Sequence, residues 1–399
     1  MRSLSDRVLA IGLTLVFAAV YVAAGANEVT SYDYYGRLAR AFLEGRWWLT
    51  EAPAHLNELV SCGDGRWCVA YPPLPALLSI PLVLAGVGTA LAQGLVSQLA
   101  GGASAGLLYS GLRRLGVQRP TALTGTVLSA VGTTLLYTSA DGRSWFAAHA
   151  VAVLFLSAAF REAARGGSPV VLGMLIGCAT LARLPVAAAA PGLALLIAHR
   201  AGLPTWRSLG LVVAGGVPFA LVYLGYDLLR WGTLTDLGYT RLAEGDVYFD
   251  QGVFSLSYLP RHIQAIFFEP PEIVLGTWLI FKPHFIGMSL FLTTPPLLWL
   301  FASLRWLRRD AALAAICLAG GLALIPDITH GTVGFAQFGY RFSLDAQPTL
   351  IVLALAGDAF TASGGWRRWP SAAFVAATAL AVAINVYAVV VVLHLGYWQ

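Results

Sequence analysis

An all-α protein that crosses a membrane many times is the fold class this sequence predicts, on three observations. Of its 399 residues 58% are hydrophobic and only 11% charged, against about a quarter charged in a soluble domain. Apolar runs of about 20 residues, long enough to cross a hydrocarbon core, recur along the chain. These runs are continuous and do not alternate with period two, which excludes a β-barrel. The expectation is a single transmembrane domain, 1–399, of about eleven spans.

The spans follow in order. Met1 to Arg7 is short and basic, and Val8–Ala26 is the first span. Its Ala24-Gly25-Ala26 end imitates a cleavage site, but the apolar stretch exceeds a signal core and reads as uncleaved. Gly88–Leu112 closes at Arg113-Arg114, Thr121–Ser139 at an Asp141-Gly142-Arg143 turn, and Trp145–Phe160 at Arg161 and Arg165. Residues 170–198 divide into two short spans at Arg183-Leu184-Pro185, because proline removes a backbone donor. Leu209–Leu229, Ile286–Leu304, Ala311–Ile325, Thr349–Ala359 and Ala372–Leu395 complete the set.

Charge tests this layout. With the amino terminus inside, the inner segments hold 14 of the 25 basic residues and only four acids, Asp6, Glu162, Asp310 and Asp358. Every short basic loop then falls on the cytoplasmic side, as the positive-inside rule asks. Leaving 170–198 undivided would throw the Arg305–Arg309 cluster outside. The net charge of +5 therefore follows topology and does not point to a nucleic-acid partner. Cys178 and Cys317 sit inside apolar runs and read as small buried hydrophobes.

Three polar segments, 27–87, 230–285 and 327–348, converge on the outer side. The first holds Glu28, Asp33, Glu44, Glu51, Glu58 and Asp64, six of the chain's 20 acids. Within it, Tyr32–Arg46 reads as an amphipathic helix, with Tyr35, Leu38, Ala39 and Phe42 opposite Arg37, Arg40 and Glu44. Such a helix lies in the interface plane, with Trp47-Trp48 anchored in the headgroup layer. Residues 58–71 read as a hairpin about a Gly-rich turn. Cys62 and Cys68 flank that turn and, in an oxidising compartment, could form a cross-strand disulfide; the alternative is two unpaired thiols. Asp33 sits one turn outside the first span. It reads either as a helix cap paired with Arg37 at i,i+4, or as a general base where a lipid-borne substrate meets a polar acceptor.

An acid after the first span, the helix YYGRLARAFLEGRWWL (34–49) and the return YPPLPALL (71–78) resemble the first outer loop of GT-C-fold glycosyltransferases. These are polyprenyl-phosphate-sugar-dependent enzymes of the protein O-mannosyltransferase and aminoarabinose-transferase type. The likeness continues through Gly142-Arg143-Ser144-Trp145-Phe146 with His149, and Ala182-Arg183-Leu184-Pro185. It reappears in GVFSLSYLPRHI (252–263) and FAQFGYRFSLDAQP (335–348). It covers most of the chain as topology and a few dozen residues as sharp motif. Many relatives carry Asp-Glu or Asp-Asp at the catalytic position; here Tyr34 follows Asp33, and the nearest second acid is Glu28.

The resemblance implies an inverting transfer, in which a polyprenyl-phosphate-linked sugar passes to a glycan, lipid or protein acceptor and Asp33 takes the acceptor's proton. Departure of a lipid phosphate needs fixed positive charge near its oxygens, which arginine supplies bidentately. Arg341, Lys282, Arg183, Arg143 and Arg261 are the candidates, each with an alternative as a headgroup contact or as an ion-pair partner of Asp345 or Asp327. Tyr71, Tyr340 and His262 are candidate substrate contacts. His149, His262 and His330 show no metal spacing, and a lone histidine is more often structural; no metal or cofactor is expected. The implied place is a plasma membrane, with the site on the extracytoplasmic face. Two other functions compete. A lipid-linked-sugar flippase would show internal repeats and charges at mid-membrane, and a non-catalytic scaffold of envelope assembly would not need Asp33.

Overall fold

The computed structural model describes residues 2–25, 30–275, 279–363, 365–366 and 368–394. Glu28 lies outside them. The helices used below are α1 (Arg2–Ala24), α2 (Tyr34–Leu43), α3 (Leu74–Leu84), α4 (Thr89–Leu115), α5 (Arg119–Val131), α6 (Leu135–Asp141) and α7 (Ser144–Ala164). They continue with α8 (Pro169–Thr180), α9 (Ala190–Ala201), α10 (Thr205–Trp231), α11 (Ala311–Ile328), α12 (Gln347–Ser363) and α13 (Ala372–Tyr387). Two antiparallel hairpins join them: β1 (Leu59–Ser61) with β2 (Trp67–Val69), and β3 (Glu272–Leu275) with β4 (Leu279–Lys282).

Among the described residues, six helical segments are long and apolar enough to cross a membrane: Ser5–Ala24, Ser144–Ala164, Leu184–Ala201, Thr205–Trp231, Ala311–Ile328 and Ala372–Leu393. A seventh arises if α3 and α4, bent by 118° at their junction, count as one broken span. The protein is a multi-pass, α-helical membrane protein. Helix ends follow local chemistry. Ser168 caps α8 with Pro169 at the first helical position, and Asp310 and Ser371 cap α11 and α13 through Leu313 and Phe374 amides. Small residues let helices approach closely. A Cβ on Gly102 of α4 would lie 2.4 Å from the Ala18 backbone of α1.

Several expected elements take another form. The division of 170–198 stands, with α8 ending at Thr180 and a 3₁₀ turn, Leu184–Ala189, leading into α9. The run 121–139 is two helices, α5 and α6, because the chain breaks at Gly132–Thr134. The run 286–304 is a succession of short helical pieces from Leu290 to Trp306, interrupted at Thr294-Pro295-Pro296, where the prolines forfeit donors. The amphipathic helix of the first loop is the shorter α2. Its apolar stripe is covered by protein: Tyr34, Tyr35 and Leu38 are fully buried in a cluster with Tyr71, Val69 and Tyr226, and Ala39 is fully buried as well. Trp47 donates to the Leu229 carbonyl at 2.7 Å, tying the first loop to the end of α10.

Candidate functional site

Where α7 begins, α8 and α11 end and the loops close over them, the backbone is least regular. Arg183 is extended, at φ −149°, between α8 and the 3₁₀ turn. Asp327 lies in the last turn of α11 behind Pro326, and Arg341–Ala346 is a 3₁₀ run leading into α12. Irregular backbone at membrane depth survives only where protein buries it or a polar cavity borders it. Here it gathers one group of the buried charges, Arg183, Asp327, Arg341 and Asp345.

One group of these charges is balanced. Arg183 Nε meets both Asp345 oxygens at 2.8 Å, and its Nη2 reaches Asp327 Oδ1 at 3.2 Å. Asp345 Oδ1 also meets His149 Nδ1 at 2.9 Å, with both side chains sealed from solvent. Burial alone would push the Asp345 carboxyl up, but Arg183 and His149 outweigh it and hold the group below its ordinary value. Burial likewise works against the Arg183 cation, and Asp345 and Asp327 outweigh that. Arg183 is thus the ion-pair partner of both aspartates, and its charge is already matched. Asp327 Oδ2 and His149 Nε2 remain buried without a hydrogen-bond partner among the described residues.

Arg341 stands in the opposite condition. Its Nη1 donates to the Phe335 carbonyl and to Gln337 Oε1, each at 3.0 Å, and its guanidinium lies 5.3 Å from the Phe146 and Phe342 ring centres. No carboxylate pairs with it among the described residues, and Nε has no partner. Burial, and then the nearby positive charge of Arg183, push its pKa down to about 9. Since guanidinium stays protonated in proteins, the shift measures a buried cation short of counter-charge. Gly334 makes room for it. At φ +93° it occupies the left-handed region, and a Cβ there would lie 2.7 Å from Arg341 Nη1.

Glu58 supplies a carboxyl within electrostatic reach of Arg341 that is not paired with it. It stands just ahead of β1, its amide donating to the Tyr34 hydroxyl at 3.1 Å. Oε2 is sealed from solvent without a partner. Burial raises its pKa to about 7, and the attraction of Arg341 offsets this only in part. Around it stand Tyr34, Tyr35, Tyr71 and Tyr239 in edge and tilted contacts at 5.8–6.1 Å between ring centres. Burial pushes Tyr239 up to about 12 and Tyr35 well above its ordinary value.

The remaining sequence candidates divide. Asp33 is buried, with Oδ1 2.6 Å from Arg37 Nε and Oδ2 accepting from the Thr89 hydroxyl at 2.6 Å. It occupies the cap position of α2 but makes no side-chain cap bond. Arg143 pairs with Asp141 at 2.7 Å and lies over Tyr32 and Phe146. Phe146 therefore sits between Arg143 and Arg341. His262 Nε2 faces the His330 carbonyl at 2.9 Å and must donate, so Nδ1 accepts from the Tyr340 hydroxyl at 2.8 Å. This neutral tautomer fits a pKa that burial lowers. Arg261 is spent on the Tyr248 and Gly331 carbonyls. Lys282 is on β4, opposite Glu272, and no hydrogen bond or ion pair joins it to the cluster among the described residues. Cys62 and Cys68 are bonded to each other across the first hairpin. Among the described residues no three His, Cys, Asp or Glu side chains could hold a metal ion.

Sequence reading undervalued Glu58, which it counted only among the loop's acids, and Tyr35 and Tyr239. The signal present was an acid directly preceding a hydrophobic strand; what marks it out is the tertiary burial of that strand. No protein family, curated protein or solved structure matches the chain.

Proposed function

We propose that this protein is a GT-C-type membrane glycosyltransferase, its shorter helices completing about eleven passes, that moves a sugar from a polyprenyl-phosphate donor to a polar acceptor. The single observation that carries the reading is Arg341, a buried guanidinium without a paired carboxylate among the described residues, within electrostatic reach of the Glu58 carboxyl and its unused oxygen. A departing lipid phosphate needs such fixed charge in a water-poor site, and its arrival would supply the missing counter-ion. In the transfer the acceptor oxygen attacks the anomeric carbon, the bond from that carbon to the phosphate oxygen breaks, and the hydroxyl proton passes to a carboxylate.

The resemblance gives the proton to Asp33. Both of its oxygens are already engaged, Oδ1 by Arg37 and Oδ2 by the Thr89 hydroxyl. Glu58, desolvated and half-free, is the better poised base at neutral pH. Transfer of radiolabelled sugar from a panel of polyprenyl-phosphate sugars, in membranes bearing wild type, D33N or E58Q, tests both assignments. Product from wild type and D33N but not E58Q supports Glu58; the reverse pattern returns the proton to Asp33. No product from wild type across the panel would contradict the transferase.

A further inference from the structure

The segment 263–285 was expected to belong to a polar outer loop, yet among the described residues it carries seven exposed large apolar side chains. In the β3–β4 ribbon, Ile273 pairs with Phe281 and Leu275 with Leu279. Strand alternation places Ile273, Leu275 and Phe281 on one face and Glu272, Val274 and Lys282 on the other. The first face is bare: Leu275 is 81%, Ile273 59% and Phe281 43% exposed. The sequence from Ile273 to Phe281 contains no charged residue, while Glu272 and Lys282 face each other across the ribbon's base. Phe267 and Phe268, 43% and 66% exposed, extend the apolar surface towards Phe291 and Phe301, whose rings follow at 5.1 and 5.6 Å.

Two further observations say what covers this face. The Tyr387 hydroxyl accepts from the Phe281 amide and donates to the Phe281 carbonyl, each at 3.0 Å. It thereby closes the edge of β4 where a strand in water would need no such help. Tyr387 also stands six residues before Leu393, the end of the last apolar span, so this contact lies about 9 Å along the helix inside that end. Val386 and Val390, on the neighbouring turns of the same helix, are 44% and 53% exposed and apolar. The ribbon's bare face thus continues a surface that the span itself turns towards lipid.

From this we infer that the β3–β4 ribbon is an interfacial membrane element, its Ile273–Leu275–Phe281 face seated in the acyl boundary of the leaflet at the loop end of the bundle. Glu272 and Lys282, at the base of the other face, meet the headgroups. An amphipathic element with one apolar and one charged face takes this position. The ribbon leads directly into residues 284–288, which touch the shell of Arg341. The Ile286 carbonyl accepts from Gln337 Nε2 at 2.7 Å, and the Met288 amide donates to the Phe338 carbonyl at 3.1 Å. Leaflet and buried cation are thereby connected through one short stretch of chain. The placement does not depend on the transferase reading.

Spin labels test it in full-length protein reconstituted into phosphatidylcholine vesicles. With Cys178 and Cys317 replaced by alanine and the Cys62–Cys68 bond kept, a nitroxide is attached in L275C, I273C or, as a loop control, E244C. These positions are exposed or, for Glu244, on the loop surface, so labelling leaves the core intact. Collisions with oxygen, which partitions into lipid, are compared with collisions with a water-soluble nickel chelate. The expected result is an oxygen-to-nickel ratio several-fold higher at 273 and 275 than at 244. A ratio equal to that at 244 would overturn the inference by placing the ribbon in water. Shielding from both agents would overturn it too, by showing that protein covers the face.

Discussion

Arg183 and Arg341 are two buried arginines, within electrostatic reach of each other, in opposite states. Arg183 is closed in by Asp345 and Asp327, with His149 completing the group. Arg341 has carbonyl, amide and aromatic neighbours but no paired carboxylate among the described residues. The difference separates a charge used to hold the fold from a charge held ready for something else. A matched ion group resists removal of one member, because the others are left buried and unpaired. An unmatched cation costs the folded state free energy, and a native chain that keeps one has a reason outside the fold.

The contrast is broken most forcefully at Arg183. R183M leaves Asp345 and Asp327 without their cation and is expected to lower stability by about 3–5 kcal/mol, read as loss of folded protein in thermal denaturation in detergent. R341M is expected to unfold no earlier than wild type. If both variants are equally destabilised, the distinction fails.

Next in size is the hairpin that carries Glu58. Replacing Cys62 and Cys68 together by alanine frees a loop closed over a sequence separation of six, expected to cost about 2 kcal/mol on the chain-entropy account. The melting temperature should fall accordingly. G334A comes below it, at about 1–2 kcal/mol for an alanine in the left-handed region. It also crowds Arg341, so any ligand affinity should fall more than stability does.

A further effect is one of pH. Glu58 has its folded-state pKa raised to about 7 from a reference of 4.5, so between those values the folded state holds the extra proton. Its contribution therefore favours folding at pH below 4.5 and is lost as pH rises through 7. A melting-temperature profile should decline over that window in wild type relative to E58Q. A base at this position also predicts transfer that rises through pH 7.

The sequence disclosed the class of protein almost completely, because apolar run length and the placement of arginine are direct consequences of a bilayer. The break at Arg183-Leu184-Pro185 was legible for the same reason: proline and topology agreed. The covering of α2 was not, since an amphipathic stripe reads alike whether lipid or protein lies against it. Nor was the ranking of the charges. Arg183 and Arg341 are both arginines beside an apolar run, and only the tertiary positions of Asp327 and Asp345, 144 and 162 residues distant from Arg183, tell a matched charge from an open one. Lys282 was drawn towards the site by its place before a span, whereas it lies on β4 opposite Glu272, with no hydrogen bond or ion pair to the cluster among the described residues.

The most direct measurement is binding of a polyprenyl phosphate, without its sugar, to purified wild type, R341M and H262F by native mass spectrometry. The account predicts binding to wild type and H262F, and at least a tenfold loss in R341M, the scale of one lost charge-assisted contact, with the melting temperature of R341M preserved or raised. Equal binding by wild type and R341M, or no binding by wild type, would contradict the claim that Arg341 is held open for a phosphate.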